Sequence, residues 1–289
     1  MVRKMKKIIS LLLTLALCLG LAVPAFAVEA GEQRVAVGGN LSAEQKATVY
    51  GYFGLKEGDV EEITVTIDDE RHYLENVDAS KIGSKSLSSI YIITKAEGEG
   101  LDISLNNINW LTKEIYQNAL ITSGITDAKV IIAAPTAVSG TAALTGIYKA
   151  YEDITGQQLD EESKQVATEE LVTTGDLADS IGGEDAAVLV NELKLVMGTL
   201  KKMDDEEVRN EIKSIAVNLN INLTIDQVEQ LLQLVRSLEN VNLDGLTGAL
   251  ESVASALNGL SSSSGGSGFW DAITSFFSKI GDFFANLFS

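Results

Sequence analysis

One segment combines small residues and hydroxyl groups where a predicted strand is followed by a predicted helix, Ala133-Ala-Pro-Thr-Ala-Val-Ser-Gly-Thr141. Such a segment can present backbone N–H groups to an anion or a peptide carboxylate. Its spacing excludes a P-loop, because neither Gly140 nor Gly146 is followed by Lys and Ser or Thr. It also lacks the Gly-x-Ser-x-Gly pattern of a nucleophile elbow. Two interpretations remain: a ligand site lined by Ser139, Gly140 and Thr141, or a structural helix start with Ser139 as its N-cap.

His72 is the sole histidine of the chain, which restricts the possible enzyme mechanisms. A Ser-His-Asp triad would have to use it, and no second histidine exists for a zinc site of the usual kind. We expect Arg71 and His72 to lie at a strand end near acidic residues, as a surface ion-pair cluster. The sequence therefore predicts no catalytic residue.

Three runs of carboxylates suggest metal binding at first inspection. They are Asp68-Asp-Glu70, Asp160-Glu-Glu162 and Asp204-Asp-Glu-Glu207. None has the alternating oxygen ligands and central glycine of a calcium loop. The last two stand at predicted helix starts, where acids interact favourably with the helix dipole. We therefore predict no metal site and no cofactor. Paired carboxylates for glycoside hydrolysis stay open as an alternative, although no pair stands out.

The elements that would position these residues fall into two groups. The first, over residues 28–151, mixes strands and helices and is predicted to be an α+β domain. Its predicted strands are Val35–Val37, Glu62–Asp68, Ser89–Thr94, Leu101–Leu105 and Ala128–Ala134. Gly98-Glu-Gly100 is interpreted as a hairpin loop, and Pro135 as the end of the last strand. Predicted helices begin at the capping box Ser42–Gln45, at Thr112 and near Ser139.

The second group, over residues 152–260, is predicted to be a helical domain without strands. Apolar residues recur at helical spacing in 186–203, 208–219, 228–241 and 246–260. Capping boxes at Asp204 with Glu207 and at Thr224 with Gln227 agree with two of these periods. Leu219-Asn-Ile-Asn-Leu223 alternates like a strand, but we interpret it as a turn between two helices.

The first 27 residues have the composition of a cleavable secretory signal. Basic residues in Arg3–Lys7 precede an apolar run, Ile8–Val23, and Ala25-Phe-Ala27 provides a cleavage site. The run is shorter than the roughly 20 apolar residues of a membrane span, which disfavours an uncleaved anchor. We expect a secreted or extracytoplasmic protein of a Gram-positive bacterium. Its mature chain should begin near Val28.

Cysteine content and charge exclude several further classes of function. Cys18 is the only cysteine, so the secreted chain lacks disulfides, thiolate catalysis and cysteine-bound metals. Leu17 before Cys18 is too bulky for a lipoprotein signal. The formal charge is −19, and removing four basic residues with the signal makes it −23. This field opposes nucleic-acid binding and indicates solubility.

A Ser/Gly linker, residues 261–268, is followed by a predicted amphipathic helix, residues 269–289. The apolar residues of this tail recur every three to four positions. They are Phe269, Trp270, Ile273, Phe276, Phe277, Ile280, Phe283, Phe284, Leu287 and Phe288. Lys279 and Asp282 oppose a spanning position, because a central charge costs about 2.5–3.5 kcal/mol on insertion scales. The tail is expected to contact a membrane surface, a partner or another copy, or its own body.

Several stretches of the chain carry a family resemblance. They are Thr122–Pro135, Val138–Ile147, Lys149–Glu152, Glu70–Leu74, Gly100–Ile103 and Asn109-Trp110. Together they resemble the secreted Firmicutes family known as domain of unknown function 1002 (YpuA-like), over roughly residues 32–258. The resemblance implies an exported protein of unknown role and supplies no catalytic residues.

The export signal, the poor catalytic inventory and the tail together favour a non-enzymatic binding or scaffold protein of the cell envelope. In this interpretation residues 269–288 hold it to a membrane surface or an envelope protein. An extracellular carboxylate-dependent hydrolase and a membrane-perturbing secreted factor are the alternatives. The sequence predicts an α+β fold. It consists of an N-terminal mixed α/β domain, a helical domain and a C-terminal amphipathic helix.

Overall fold

A computed structural model describes residues 28–73 and 84–261 of the chain. Its strands, in chain order, are β1 Gln33–Gly38, β2 Glu62–Val65, β3 Ser89–Thr94, β4 Leu101–Ile108 and β5 Ala128–Val138. Its first helices are α1 Ala43–Phe53, α2 Ile67–Tyr73, α3 Lys113–Thr122, α4 Thr141–Thr155 and α5 Glu161–Ile181. The later helices are α6 Gly183–Leu195, α7 Met197–Leu200, α8 Asp205–Asn218, α9 Ile225–Leu238 and α10 Thr247–Ser261, with a 3₁₀ turn at Asp244–Leu246. The described residues thus form an α+β fold, as the sequence predicts.

The strands form one mixed sheet in the order β2-β1-β3-β5-β4. β1 and β2 are parallel and joined through α1, and β4 and β5 are parallel and joined through α3. β3 runs antiparallel to both β1 and β5. The predicted hairpin at Gly98-Glu-Gly100 is therefore wrong, because β5 lies between β3 and β4. β5 carries the apolar run and takes a position with partners on both sides, where its side chains are covered on both faces.

Pro135 does not end β5, contrary to the sequence prediction. The strand continues to Val138, which pairs with Ile108 after a shift in register. The pairing with β3 stops at Ala133, so Pro135 lies beyond it and inside the irregular stretch against β4. A proline lacks the N–H for a ladder bond and is tolerated at such a bulge.

The two faces of the sheet are buried by different helices. Val35 and Val37 pack with Tyr50 and Phe53 of α1. Ala36, between them, belongs to the cluster under α3 and α4. This alternation follows from the two-residue period of a strand. Both faces of the central strands are therefore inside the protein.

After α4 the described chain is helical, and its helices pack on one another and on α3. Ala167 and Leu171 of α5 and Ala187 of α6 share the apolar cluster of the sheet. Ile121 of α3 packs with Leu250 of α10. The apolar core thus continues past Tyr151, and the boundary of the two domains stays a prediction.

Most local helix signals are confirmed. Capping boxes occur at Ser42, Asp204 and Thr224, and Thr112 caps α3. The segment 219–223 connects α8 and α9 as a turn, as expected. Two helices are absent from the sequence prediction. The first two residues of α2 fall in the predicted strand Glu62–Asp68, and only the acidic start of α5 is predicted.

The predicted signal (1–27), the rest of the predicted linker (262–268) and the tail (269–289) lie outside the described residues. Ser261, predicted as the first linker residue, is instead the last residue of α10. The membrane and partner contacts expected of Phe269 to Phe288 are therefore not addressed by the structure. Among the helices of residues 28–73 and 84–261, none combines the length and apolar character needed to cross a bilayer.

Candidate ligand-binding site

A pocket of about 270 Å³ opens where β5 passes into α4. Ser139, Gly140 and Thr141, the three residues predicted to line a ligand site, all belong to its wall. Further parts of the wall come from Glu70 of α2 and from the segment before β3, which includes Lys85 and Ser88. The structure therefore brings the sequence-predicted residues together and adds others from two further segments. We call this space the α4 pocket.

Gly140 shapes the turn that begins the α4 pocket. Its φ is +102°, a conformation that L side chains rarely adopt. A Cβ at this position would also clash with Tyr116 Oη and Ile108 Cγ2. The same tyrosine donates a hydrogen bond of 2.7 Å to the Gly140 carbonyl. Only glycine fits this close approach of α3 and β4 to the turn.

The N-cap of α4 is Gly140 and not Ser139, so the structural interpretation of Ser139 is wrong. The left-handed turn at Gly140 places the cap one residue later than predicted, and glycine has no side chain that could cap the helix start. The amides of Thr141 and Ala142 have no acceptor within the described chain. Two backbone donors at the pocket wall are thus available to a ligand.

Glu70 is the buried carboxyl group of the α4 pocket. Glu70 is only 1% exposed. Thr141 Oγ1 donates a 2.5 Å hydrogen bond to Glu70 Oε1. Burial raises the pKa of Glu70 above its usual value, because the charged form loses hydration. Within the described residues, Oε2 has no hydrogen-bond partner.

Sequence reasoning missed Glu70 because it treated the acidic run as a strand end. The signal was present in the preceding residues. Thr66 Oγ1 accepts from the Asp69 amide, and Asp69 Oδ2 accepts from the Thr66 amide. This reciprocal pair starts a helix. Helical spacing then turns Glu70 inward with Tyr73, three residues later.

Ser88 adds a second buried polar group to the wall. The residue is 4% exposed, and its hydroxyl has no hydrogen-bond partner in residues 28–73 and 84–261. Lys85 lies at the exposed rim, and no carboxylate in the described part of the chain forms an ion pair with it. The pocket therefore offers hydroxyl, amide, ammonium and carboxyl groups.

Residues 37–254 match the family model described as "Protein of unknown function (DUF1002)". This match covers most of the chain. The chain belongs to the DUF1002 family. It is also 34% identical, over 262 residues, to the "Uncharacterized protein YpuA" of Bacillus subtilis (strain 168). This alignment covers 89% of this chain and 90% of that protein. No solved structure matches the chain.

The family resemblance proposed from the central signature is thus confirmed. The DUF1002 match includes Glu70, Lys85, Ser88 and the turn at Gly140, so the whole α4 pocket lies inside the family region. The descriptions of the family and of the relative name no activity.

His72 of this DUF1002 chain lies on α2 and not at a strand end, which corrects the sequence prediction. The predicted surface ion pairs are confirmed. His72 Nε2 lies 2.9 Å from Glu161 Oε1, and its side chain is 56% exposed. Arg71 pairs with Asp68 at 3.6 Å. His72 is not part of the pocket wall.

The remaining acidic runs of the DUF1002 chain lie at helix starts, as predicted. Asp160 Oδ2 accepts a hydrogen bond of 2.8 Å from the Ser163 amide, and Asp204 caps α8. In the part of the chain that the structure describes, no group of three histidine, cysteine or acidic side chains is arranged to hold a metal ion.

Proposed function

We propose that this DUF1002 protein is an exported, non-enzymatic binding protein whose ligand site is the α4 pocket. One observation supports this most: Glu70, Ser88 and Thr141 are each more than nine-tenths buried and line the same space. Buried polar groups ordinarily have hydrogen-bond partners in the protein. Ser88 and one oxygen of Glu70 have none among the described residues, so a bound molecule would complete their bonding.

The acidic and basic side chains of the pocket wall favour binding over hydrolysis. Among the described residues of its wall, Glu70 is the single carboxyl group. The usual glycosidase mechanism requires two carboxyl groups on either side of the scissile bond. His72, the sole histidine, is exposed and paired with Glu161. The wall thus lacks the second acid or base that this alternative needs.

A thermal-shift screen tests the ligand site. Full-length protein is screened with a panel of amino acids, sugars, organic acids and inorganic phosphate, alongside Ser139→Leu and the control Ser255→Leu. Ser139 is half-buried at the pocket wall, whereas Ser255 is exposed on α10. Compounds that bind the pocket should stabilise the wild type and the control but not Ser139→Leu. Equal stabilisation of all three proteins would place the site elsewhere.

The export and tethering parts of the proposal are supported by the sequence. Residues 1–27 have the composition of a secretory signal, and residues 269–288 have an aromatic amphipathic pattern. The tail would hold the protein to the outer face of the cell membrane or to an envelope protein. Liposome co-sedimentation and pull-down assays should then separate the full-length chain from a chain that ends at Leu260. Equal behaviour in both assays would remove the tail from the proposal.

A further inference from the structure

We propose that the ligand of the α4 pocket is a compact zwitterion with an ammonium and a carboxylate group, such as an amino acid or a short peptide. This inference rests on the proposed function, because it concerns the ligand of that same pocket. The pocket joins an acidic side chain, Glu70, with positively polarised donors at the start of α4 and with Lys85. Each kind of group fits one end of a zwitterion.

The ammonium end would bind Glu70. One oxygen of this carboxyl group already accepts from Thr141, and the other has no partner among the described residues. A buried carboxylate is costly unless it is paired, and the raised pKa of Glu70 reflects this cost. A ligand ammonium would supply both the missing donor and the opposite charge.

The carboxylate end would bind the other polar groups of the α4 pocket wall. The amides of Thr141 and Ala142 have no acceptor in the described chain, and a helix start favours negative charge. Ser88, a residue that is 4% exposed, provides a hydroxyl without a hydrogen-bond partner in the described residues. Lys85 at the rim provides a full positive charge.

Net charge distinguishes a zwitterion from a simple anion. The chain carries a formal charge of −19, so its long-range field opposes the approach of anions. A zwitterion has no net charge and avoids this repulsion while its two ends find local partners. Size points the same way: about 270 Å³ is just below the roughly 300 Å³ at which pockets for drug-sized ligands begin.

Isothermal titration calorimetry of the full-length protein tests the inference. The probes are glycine, L-alanine and L-alanyl-L-alanine, with acetate and methylammonium as the two half-ligands. At least one zwitterion should bind about tenfold or more tightly than either half-ligand, because it forms the charged hydrogen bonds of both ends at once. Tighter binding of the amino acids would identify free amino acids as the source, and tighter binding of the dipeptide would identify peptides.

Two variants with matched controls locate the binding. Glu70→Gln and Lys85→Gln should each weaken zwitterion binding by about 10- to 100-fold, as expected for the loss of one charged hydrogen bond. The controls are Glu192→Gln, which changes another buried carboxyl group, and Lys129→Gln, which changes an exposed lysine. Both should bind as the wild type does. If Glu70→Gln does not fold, as judged by circular dichroism, Lys85→Gln still tests the carboxylate end.

The outcomes separate this inference from the proposed function. Zwitterions that bind no better than acetate or methylammonium, or that bind the Glu70→Gln and Lys85→Gln variants as tightly as the wild type, would overturn the inference. If a sugar or an anion bound instead, and Ser139→Leu abolished that binding, the proposed function would stand. If no compound in either experiment bound more weakly to the pocket variants than to the wild type, both proposals would fail.

Discussion

The ion pair between Lys194 and Glu170 allows a sharp prediction about stability. Lys194 Nζ lies 2.8 Å from Glu170 Oε1, and both side chains are completely buried. Lys194 Nζ also donates to the Asn118 carbonyl at 2.8 Å, and Thr122 Oγ1 donates to the other Glu170 oxygen at 2.5 Å. The pair thus connects α3, α5 and α6. Burial lowers the pKa of Lys194, because the charged ammonium group loses its hydration.

Removing one partner should lower the unfolding free energy strongly, whereas removing both partners should not. Lys194→Met leaves the Glu170 carboxylate buried without its counter-charge, which costs about 3–5 kcal/mol of unfolding free energy. The double variant Lys194→Met/Glu170→Leu removes both charges and replaces them with apolar side chains. It should lie within about 1 kcal/mol of the wild type or exceed it, since buried pairs often contribute little net stability.

Urea unfolding followed by circular dichroism at neutral pH measures this difference. The matched control is Arg209→Met, which breaks the partly exposed Arg209–Glu229 pair and should cost far less unfolding free energy than Lys194→Met, because solvent screens an exposed ion pair. Comparable m-values are required for a two-state comparison. If Lys194→Met cost no more than Arg209→Met, or if the double variant were less stable than the single one, the reasoning about the buried charge would be refuted.

Three further predictions concern stability. Burial raises the pKa of Glu192 from 4.5 to about 7, so the folded state holds a proton that the unfolded state lacks, and stability should fall as pH rises between these values. Glu192→Gln should remove this slope and gain roughly 2–3 kcal/mol at about pH 8; a parallel pH profile of the two proteins would contradict this. Gly140→Ala should lose about 2 kcal/mol or more in thermal unfolding, whereas Gly51→Ala, in the open interior of α1, should be neutral or stabilising; equal effects would contradict the steric argument. Thr224→Ala should cost about 1 kcal/mol in urea unfolding through loss of the α9 cap, and an unchanged midpoint would show that the cap is dispensable.

Features that depend on neighbouring residues could be predicted from the sequence. The capping boxes at Ser42, Asp204 and Thr224 are confirmed because each is completed within four residues. β3 was predicted with its observed bounds, Ser89–Thr94, since β-branched and aromatic residues fill a short run. Local chemistry decides these elements, so no knowledge of the fold is needed.

The order of the strands could not be predicted in the same way. The short loop before β4 suggested a hairpin, yet β4 pairs with β5 after a crossover through α3. The position of β5 depends on how both faces of the sheet are covered, which is a property of the whole chain. Pro135 was misinterpreted for a related reason. Its tolerance depends on the register shift of a neighbouring strand, and only the pairing reveals this shift.

The candidate site was predicted in part. Ser139, Gly140 and Thr141 were identified because small and hydroxyl residues precede a helix, and all three line the α4 pocket. Glu70 was missed, since its seven-residue helix is too short for a clear apolar period. Ser88 gave no signal at all, because a serine before a strand is common and its burial depends on distant segments.

Helix α3 contacts both the turn of the α4 pocket and the later helices of the described chain. Tyr116 holds the Gly140 turn, while Thr122, less than two turns further along α3, donates to Glu170 of α5. Asn118, between them, donates to the Ala187 carbonyl of α6 at 2.8 Å. One helix therefore fixes the turn of the α4 pocket on one side and is itself fixed by α5 and α6 on the other. Residues beyond Tyr151 therefore contact the helix that holds the turn of the α4 pocket, although none of those described lines the pocket itself.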